Sequence, residues 1–187
     1  MSTEDQADND QDLLRRMASK DAQALELFYD RYYRVAFALV IRIVRVRQEA
    51  EDVLAEVFWQ VWRQSGRYTP SRGKPLSWLL TIARTRAIDS LRASNRRPQA
   101  DSNEMDAPSR VPQEDPSAQA STRIAISRCL ELLSREQRVP LEMAYFEGMS
   151  HSEIAGALNQ PLGTMKDRIR TAMMTLRKCL KPREASA

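Results

Sequence analysis

The sequence predicts an all-α protein built as two small helical domains joined by a flexible linker. Three observations predict it. Apolar residues recur at three- and four-residue spacing through long stretches, and the chain holds only 5 Gly. No run of alternating apolar and polar residues long enough for a strand is present. Residues 98–120 break the periodicity with Pro98, Pro108, Pro112 and Pro116, and hold only Met105 and Val111 as large apolar residues. At 187 residues, with 42% hydrophobic and 29% charged residues, the chain can fill one mid-sized domain or two small ones.

The first domain is expected over residues 10–97, after an acidic, disordered N-terminus at 1–9. A short helix, Asp12 to Ser19, is followed by a long one from Asp21. In the long helix Leu25, Phe28, Tyr32, Ala36, Phe37, Val40, Ile41 and Val44 form a wide apolar stripe. A third helix, Gln48 to Gln64, carries Val53, Leu54, Val57, Phe58, Val61 and Trp62. Arg67 to Pro75 reads as a loop punctuated by Pro70, Gly73 and Pro75. The fourth helix, Leu76 to about Asn95, buries Leu79, Ile82, Ala83, Ile88 and Leu91. Four helices of this length can close a core.

About 23 flexible linker residues would span roughly 25–30 Å root-mean-square. The second domain is expected over 121–181, ahead of a tail at 182–187. Its first helix holds Ile124, Ile126, Leu130 and Leu133. Ser134 and Gln137 form a capping box that opens the next helix, with Val139, Leu141, Met143, Ala144 and Phe146 inside and Gly148 at its C-cap. Ser150 and Glu153 form a second box, so a helix starts at His151, with Ile154, Ala155 and Leu158 on its apolar face. Asn159-Gln160-Pro161 ends it, because a residue before proline leaves the α region. A last helix begins near Thr164, with Ile169, Ala172, Met173 and Leu176 inward and Lys166, Arg168, Arg170, Arg177 and Lys178 on other faces. A short helix, a turn and a basic helix is the shape that enters the DNA major groove.

Charge points the same way. The net +4 hides strong segregation. Residues 1–12 carry Glu4, Asp5, Asp8, Asp10 and Asp12 and no cation, and residues 98–120 carry five acids against Arg110. The rest is correspondingly basic, as a polyanion partner bound at two places requires. The acidic start lacks the apolar core of a signal peptide. The longest apolar stretch, Val35 to Val46, is broken by Arg42 and Arg45 and is too short to cross a bilayer. A cytoplasmic protein with no membrane insertion is expected. Cys129, Cys179 and the single His151 do not assemble a zinc site. No phosphate-binding loop, dinucleotide glycine pair or nucleophile elbow is present, so no cofactor and no enzyme activity is expected.

Asp30-Arg31-Tyr32, then EAEDVLAEVFWQVW (49–62) and SWLLTIARTRAIDSLR (77–92), resemble region 2 of bacterial sigma factors of the extracytoplasmic-function group. Residues 130–180 resemble region 4 of the same group. The two motifs in this order, with a short linker, cover nearly the whole chain. The resemblance implies a protein that binds core RNA polymerase and directs it to promoters. Region 2 would read and melt the −10 element, region 4 would read the −35 element, and an anti-sigma partner would hold the factor inactive. The alternative from the second domain alone is a stand-alone helix–turn–helix regulator, which has no need of the acidic third helix and the loop after it.

The resemblance places core polymerase docking on Glu49, Asp52, Glu56 and Gln60, where the bland reading is a solvated acidic face. It places −10 recognition and melting on the loop from Tyr68 through Arg72 to Lys74, and on Ser77, Thr81, Thr85, Arg86 and Asp89. Thr85 departs from the asparagine common there, so the −10 preference is expected to differ. Arg84, Arg92, Arg96 and Arg97 are expected at phosphates, which give affinity without sequence. Trp59 and Trp78 are read as core. In the last helix Lys166, Asp167, Arg170 and Thr171 are expected to face base edges, with Arg168 nearer phosphate or packing. Asp167 stands where the family usually has serine or threonine. It is read either as a cap partner of Thr164 or as an acceptor from cytosine N4. Cys129 and Cys179, in the first and last helices of the second domain, are either two small buried hydrophobes or a redox-sensitive pair. Exposed apolar residues around Phe58 and in the second domain are expected to contribute to the anti-sigma surface.

Overall fold

The computed structural model describes residues 3–96 and 128–180, with backbone alone for residues 3–8. The described residues are helical, without strands. The chain divides into two compact units, Met1–Val111 and Pro112–Ala187.

In the first unit α1 is Thr3–Ala18, α2 Ala22–Val44, α3 Arg47–Gln64 and α4 Pro75–Arg96, with 3-10 turns at Ser65–Arg67 and Pro70–Arg72. The first helix is longer than the Asp12-to-Ser19 segment expected, and the backbone from Thr3 is helical where an acidic coil was expected. Leu13, Leu14 and Met17 of α1 are fully buried and fasten it to the bundle.

α2 forms the centre of this unit, packed by α1, α3 and α4. Phe28, Val40, Ile43, Leu54, Val57, Val61 and Leu79 fill the space between them. Burial of each such side chain contributes about 1.5–3 kcal/mol. Phe58 belongs to this core at 4% exposure, with its ring 4.6 Å from Tyr29. Trp59, one residue on, corrects the reading of it as core: it is 61% exposed, on the outer side of α3, beside Phe58. Leu91 is half-buried.

The connections are short and locally determined. Lys20, at φ 69°, turns the chain out of α1, and Asp21 caps α2 by accepting the Gln23 and Ala24 N–H groups at 3.0 and 3.4 Å. Asp21 also accepts from Arg16 Nε at 2.8 Å, so one carboxylate closes α1 onto α2. Arg45, at φ 67°, ends α2 with its N–H on the Ile41 carbonyl.

In the second unit, residues 128–131 are helical, followed by α5 Arg135–Phe146, α6 His151–Ala157 and α7 Leu162–Leu180. Both capping boxes form: Ser134 N–H donates to Gln137 at 3.2 Å, and Ser150 N–H to Glu153 at 2.7 Å. Gly148 at φ 65° closes α5, with the Met149 N–H reaching back to the Met143 carbonyl. Leu133, Leu141, Ile154, Ala155, Met165, Ile169 and Ala172 form the core, ringed by Leu130, Met143, Met149, Leu158 and Leu176.

Two expectations for α7 are corrected. It starts at Leu162, with Pro161 and Asn159 (φ 50°) before it, rather than near Thr164. Proline fixes φ and needs no N–H partner, which suits a helix start. Thr164 is therefore inside the first turn, and Asp167 is not its cap partner. Met173 does not face inward; it is 52% exposed, and Met165 takes the buried place two turns earlier. Arg97, the 98–120 segment, Ile124 and Ile126, and the tail at 182–187 lie outside the described residues.

Burial and an Arg16 partner oppose each other at Asp21, and the Arg16 hydrogen bond wins, lowering its carboxyl pKa from 3.8. A depressed folded pKa gives stability present above the unfolded value and lost as pH falls through the folded one. Asp21→Ala is expected to destabilise the first unit at pH 7 through loss of the α2 cap and of the Arg16 contact. In urea melts followed by circular dichroism the deficit should shrink below about pH 4. A deficit independent of pH would count against the charge.

Candidate functional site

α3 and α4 of the first unit lie side by side, and the groove between them is lined by Glu49, Asp52, Val53, Glu56, Arg86, Asp89, Ser90, Ala93 and Ser94, enclosing about 390 Å³. The four residues expected to dock polymerase all lie on this side of α3. Gln60 accepts from Arg86 Nε at 2.6 Å, and Arg86 lies 3.8 Å from Glu56. Arg86 is thus turned onto α3. The residues expected at the −10 element divide into two sets. Arg86 and Asp89 line the acidic groove, whereas Ser77, Thr81 and Thr85 are exposed along another stripe of α4.

That stripe is internally ordered. Thr81 Oγ1 donates to the Ser77 carbonyl at 2.8 Å, and Thr85 Oγ1 to the Thr81 carbonyl at 2.9 Å. Both hydroxyl oxygens remain able to accept from a base edge. The loop before α4 is folded, not slack. Tyr68 Oη donates to the Gly73 carbonyl at 2.7 Å, and its ring packs 5.6 Å from Trp78. Trp78 is half-buried by this contact. Gly73 has φ 134°, a backbone that side chains rarely adopt. Burial, then the charge of Asp10, raises the Tyr68 phenol above its ordinary pKa of 10.0, so it stays a donor at neutral pH. Arg72 and Lys74 are exposed on this loop. Arg84 is half-buried; Arg92 and Arg96 are exposed, and Arg96 Nε donates to the Arg92 carbonyl at 3.0 Å.

Sequence reasoning missed Trp59. With Glu56, Gln60, Arg63, Gln64, Arg67 and Arg86 it lines a second groove of about 400 Å³. An aromatic ring on the polar face of an amphipathic helix was the available signal. Position in the α3 stripe gives it away: Phe58 and Val61 point inward, so the residue between them and Gln60 points out.

In the second unit Lys166, Asp167, Arg170 and Thr171 are exposed together on α7. Arg168 is set apart from them, half-buried and 2.9 Å from Glu136 of α5. It links the basic helix to its neighbour. Cys129 and Cys179 are joined by a disulfide, with Cα atoms 5.7 Å apart and a sequence separation of 50. Leu132, Tyr145, Met173, Met174 and Leu180 are exposed apolar residues of this unit. Among the described residues no group of His, Cys, Asp and Glu could hold a metal ion, and no helix is long and apolar enough to cross a membrane.

The sequence matches Sigma-70 region 2 over residues 28–97 and Sigma-70, region 4 over residues 123–176. It is 36% identical over 172 residues to an ECF RNA polymerase sigma factor SigK of Mycolicibacterium vanbaalenii, covering 90% of this chain and 87% of the relative. A SigK of Mycobacterium ulcerans is 34% identical over the same length, covering 90% and 91%. Among solved structures, Rhodobacter sphaeroides SigE in complex with the anti-sigma ChrR is 28% identical, with 89% of this chain and 94% of that one covered and a TM-score of 0.45. CnrH in complex with the cytosolic domain of CnrY is 21% identical, covering 92% and 97%, with a TM-score of 0.42. The chain belongs to the extracytoplasmic-function family of sigma-70 RNA polymerase sigma factors. It is a transcription initiation factor and not an enzyme.

In the chain-entropy account, closing a loop of 50 residues with a disulfide stabilises the fold by roughly 4 kcal/mol. Reduction with dithiothreitol is expected to lower the melting transition of the second unit and leave that of the first unchanged. Differential scanning calorimetry of the oxidised and reduced protein checks this; equal shifts in both transitions would contradict it.

Proposed function

We propose that the first unit docks on core RNA polymerase through α3 and captures −10 bases with the Tyr68–Lys74 loop and the Ser77, Thr81 and Thr85 stripe. The second unit reads the −35 element in the major groove through Lys166, Arg170 and Thr171, with Asp167 accepting from a cytosine. In this reading residues 10–97 and 121–181 are the two working domains and 98–120 the connector. Arg84, Arg92, Arg96 and Arg97 supply sequence-independent phosphate contacts. The protein acts in the cytoplasm, and the cysteine pair responds to redox conditions there.

One observation carries the reading. The exposed Asp52 and Glu56 of α3 run beside an exposed tryptophan, in a groove that the hydroxyl stripe of α4 does not line. A helix facing DNA alone has no use for that acidic edge, whereas a basic protein partner does. Trp59 supplies the large apolar anchor typical of interface hot spots. An anti-sigma partner would cover the same surfaces: Trp59 in the first unit, and Leu132, Met173 and Met174 in the second.

Run-off transcription with bacterial core polymerase and sheared genomic DNA, with sequencing of the 5′ ends, tests the whole. Discrete starts preceded by two shared elements at fixed spacing are expected. Duplex binding without transcripts would point to a stand-alone regulator.

Trp59→Ala is expected to weaken binding to core by about 2 kcal/mol or more, measured by fluorescence anisotropy, with −35 duplex binding unchanged. Lys166→Ala or Arg170→Ala is expected to cost about 1–3 kcal/mol on the cognate −35 element and much less on a scrambled one. Arg92→Ala should weaken binding of the protein–core complex to cognate and scrambled −10 probes alike and reduce its salt dependence.

A further inference from the structure

Among the described residues two polar side chains are buried, Asp10 and Ser65, and both lie on one route through the first unit. A buried carboxylate is costly unless its oxygens are paired. The Arg31 guanidinium donates to one oxygen of Asp10 and the Tyr32 hydroxyl to the other. These bonds hold α1 against α2. From Asp10, α1 runs to Ala18, whose Cβ lies 3.6 Å from the place a Cβ on Gly66 would take. Lys20, just beyond the helix, sits 5.3 Å from the centre of the Trp62 ring. The Trp62 carbonyl accepts from the Ser65 hydroxyl at 3.0 Å. Ser65 opens the 3-10 turn and accepts the Tyr68 N–H at 3.1 Å. Tyr68 in turn closes the loop on Gly73. The far end of α1 is therefore the floor on which the loop before α4 is rooted.

The apolar residues of α1, Leu13, Leu14 and Met17, attach it by area, a force without direction. They permit rotation and sliding that the paired hydrogen bonds of Asp10 do not. Charge from Asp10 is also felt at Tyr68, second to burial.

We propose that Asp10 is a positioning residue for −10 recognition: by fixing the register of α1 it sets the root, and so the shape, of the Tyr68–Lys74 loop. The inference rests on the reading of that loop as the −10 capture element. Asp10 does not meet DNA; it acts through α1, Gly66 and Trp62. Loops that bind a splayed base depend on such preorganisation, because small displacements of a binding group carry large losses.

The test uses full-length protein reconstituted with core polymerase. The probe is a fluorescein-labelled single-stranded oligonucleotide carrying the non-template −10 region of a promoter mapped by the run-off experiment. Asp10→Asn is expected to weaken binding of this probe on the order of tenfold. It should reduce discrimination against a scrambled probe, with affinity for core unchanged. Asp10→Glu, which keeps the charge, should recover part of the discrimination. A lower melting temperature with discrimination intact would make Asp10 merely structural and overturn the proposal. Parallel loss of core binding would overturn it too. Where Asp10→Asn does not fold, Lys20→Met removes the contact on Trp62 from an exposed position; unchanged discrimination there overturns the proposal. The double variant Arg72→Ala, Lys74→Ala separates the two readings. If it weakens the probe and Asp10→Asn does not, the loop assignment stands and the role of Asp10 falls. If neither matters, the loop assignment fails and the inference with it.

Discussion

The carboxylate of Asp10 governs how the first unit closes. It is 3% exposed, and its partners Arg31 and Tyr32 are adjacent residues of α2. Burial and the hydrogen bond to Asp10 both raise the Tyr32 phenol far above its usual pKa, so the proton stays in place at any ordinary pH. A paired charge of this kind is costly to break, since removing either partner strands the other in a dry interior. Everything downstream of α1 inherits that constraint. α1 lies under the turn at Ser65–Arg67, that turn delivers Tyr68, and Tyr68 holds the loop that introduces α4.

The acidic edge of α3 and the arginines of α4 meet within a single groove. Arg86 occupies it, bonded to Gln60 and close to Glu56. This contact divides labour on α4. The arginine that points toward α3 tempers the repulsion among Glu49, Asp52, Glu56 and Asp89, while Ser77, Thr81 and Thr85 remain on a stripe of their own. An exposed ion pair at 3.8 Å contributes little stability. Its effect is on availability: a partner that docks on Glu56 and Gln60 competes with Arg86, so docking and the orientation of α4 are coupled through one guanidinium.

The fold was largely legible because helices announce their ends. Ser134 with Gln137 and Ser150 with Glu153 form the boxes that their spacing predicts. Legibility failed where tertiary context decides. Proline shows both outcomes. Pro161 stands at the break between α6 and α7, yet Pro140 is inside α5 and buried, because a capped start at Ser134 and apolar contacts on both sides outweigh one lost N–H bond. Trp59 and Met173 were misplaced for a related reason. Their hydrophobicity argued for burial, but their angle on the helix turns them to solvent, and angle wins once Phe58 and Met165 fill the core. The site residues were legible as types at spacings. Which of them would be engaged, as Arg86 and Arg168 are, was not, since each reaches a partner on a different helix.

The second unit poses the harder stability problem. Its described part is small, and its core comprises seven buried residues, several of them short. A unit of that size buries a modest fraction of its surface and is marginal on hydrophobic area alone. Three devices compensate. Capping boxes satisfy helix ends at Ser134 and Ser150; the Arg168–Glu136 pair ties α7 to α5; and the Cys129–Cys179 bridge joins the start of the unit to its last turn of helix. The capping boxes act within single helices, and the partly exposed Arg168–Glu136 pair weakens as salt is added. The third closes the whole unit, and it lies at the end of the helix whose exposed face carries Lys166, Arg170 and Thr171. Oxidation state therefore acts on the far end of the basic helix, away from Lys166, Arg170 and Thr171. Loss of the bridge would fray α7 from Leu180 inward, toward the turns held in the core by Met165 and Ile169.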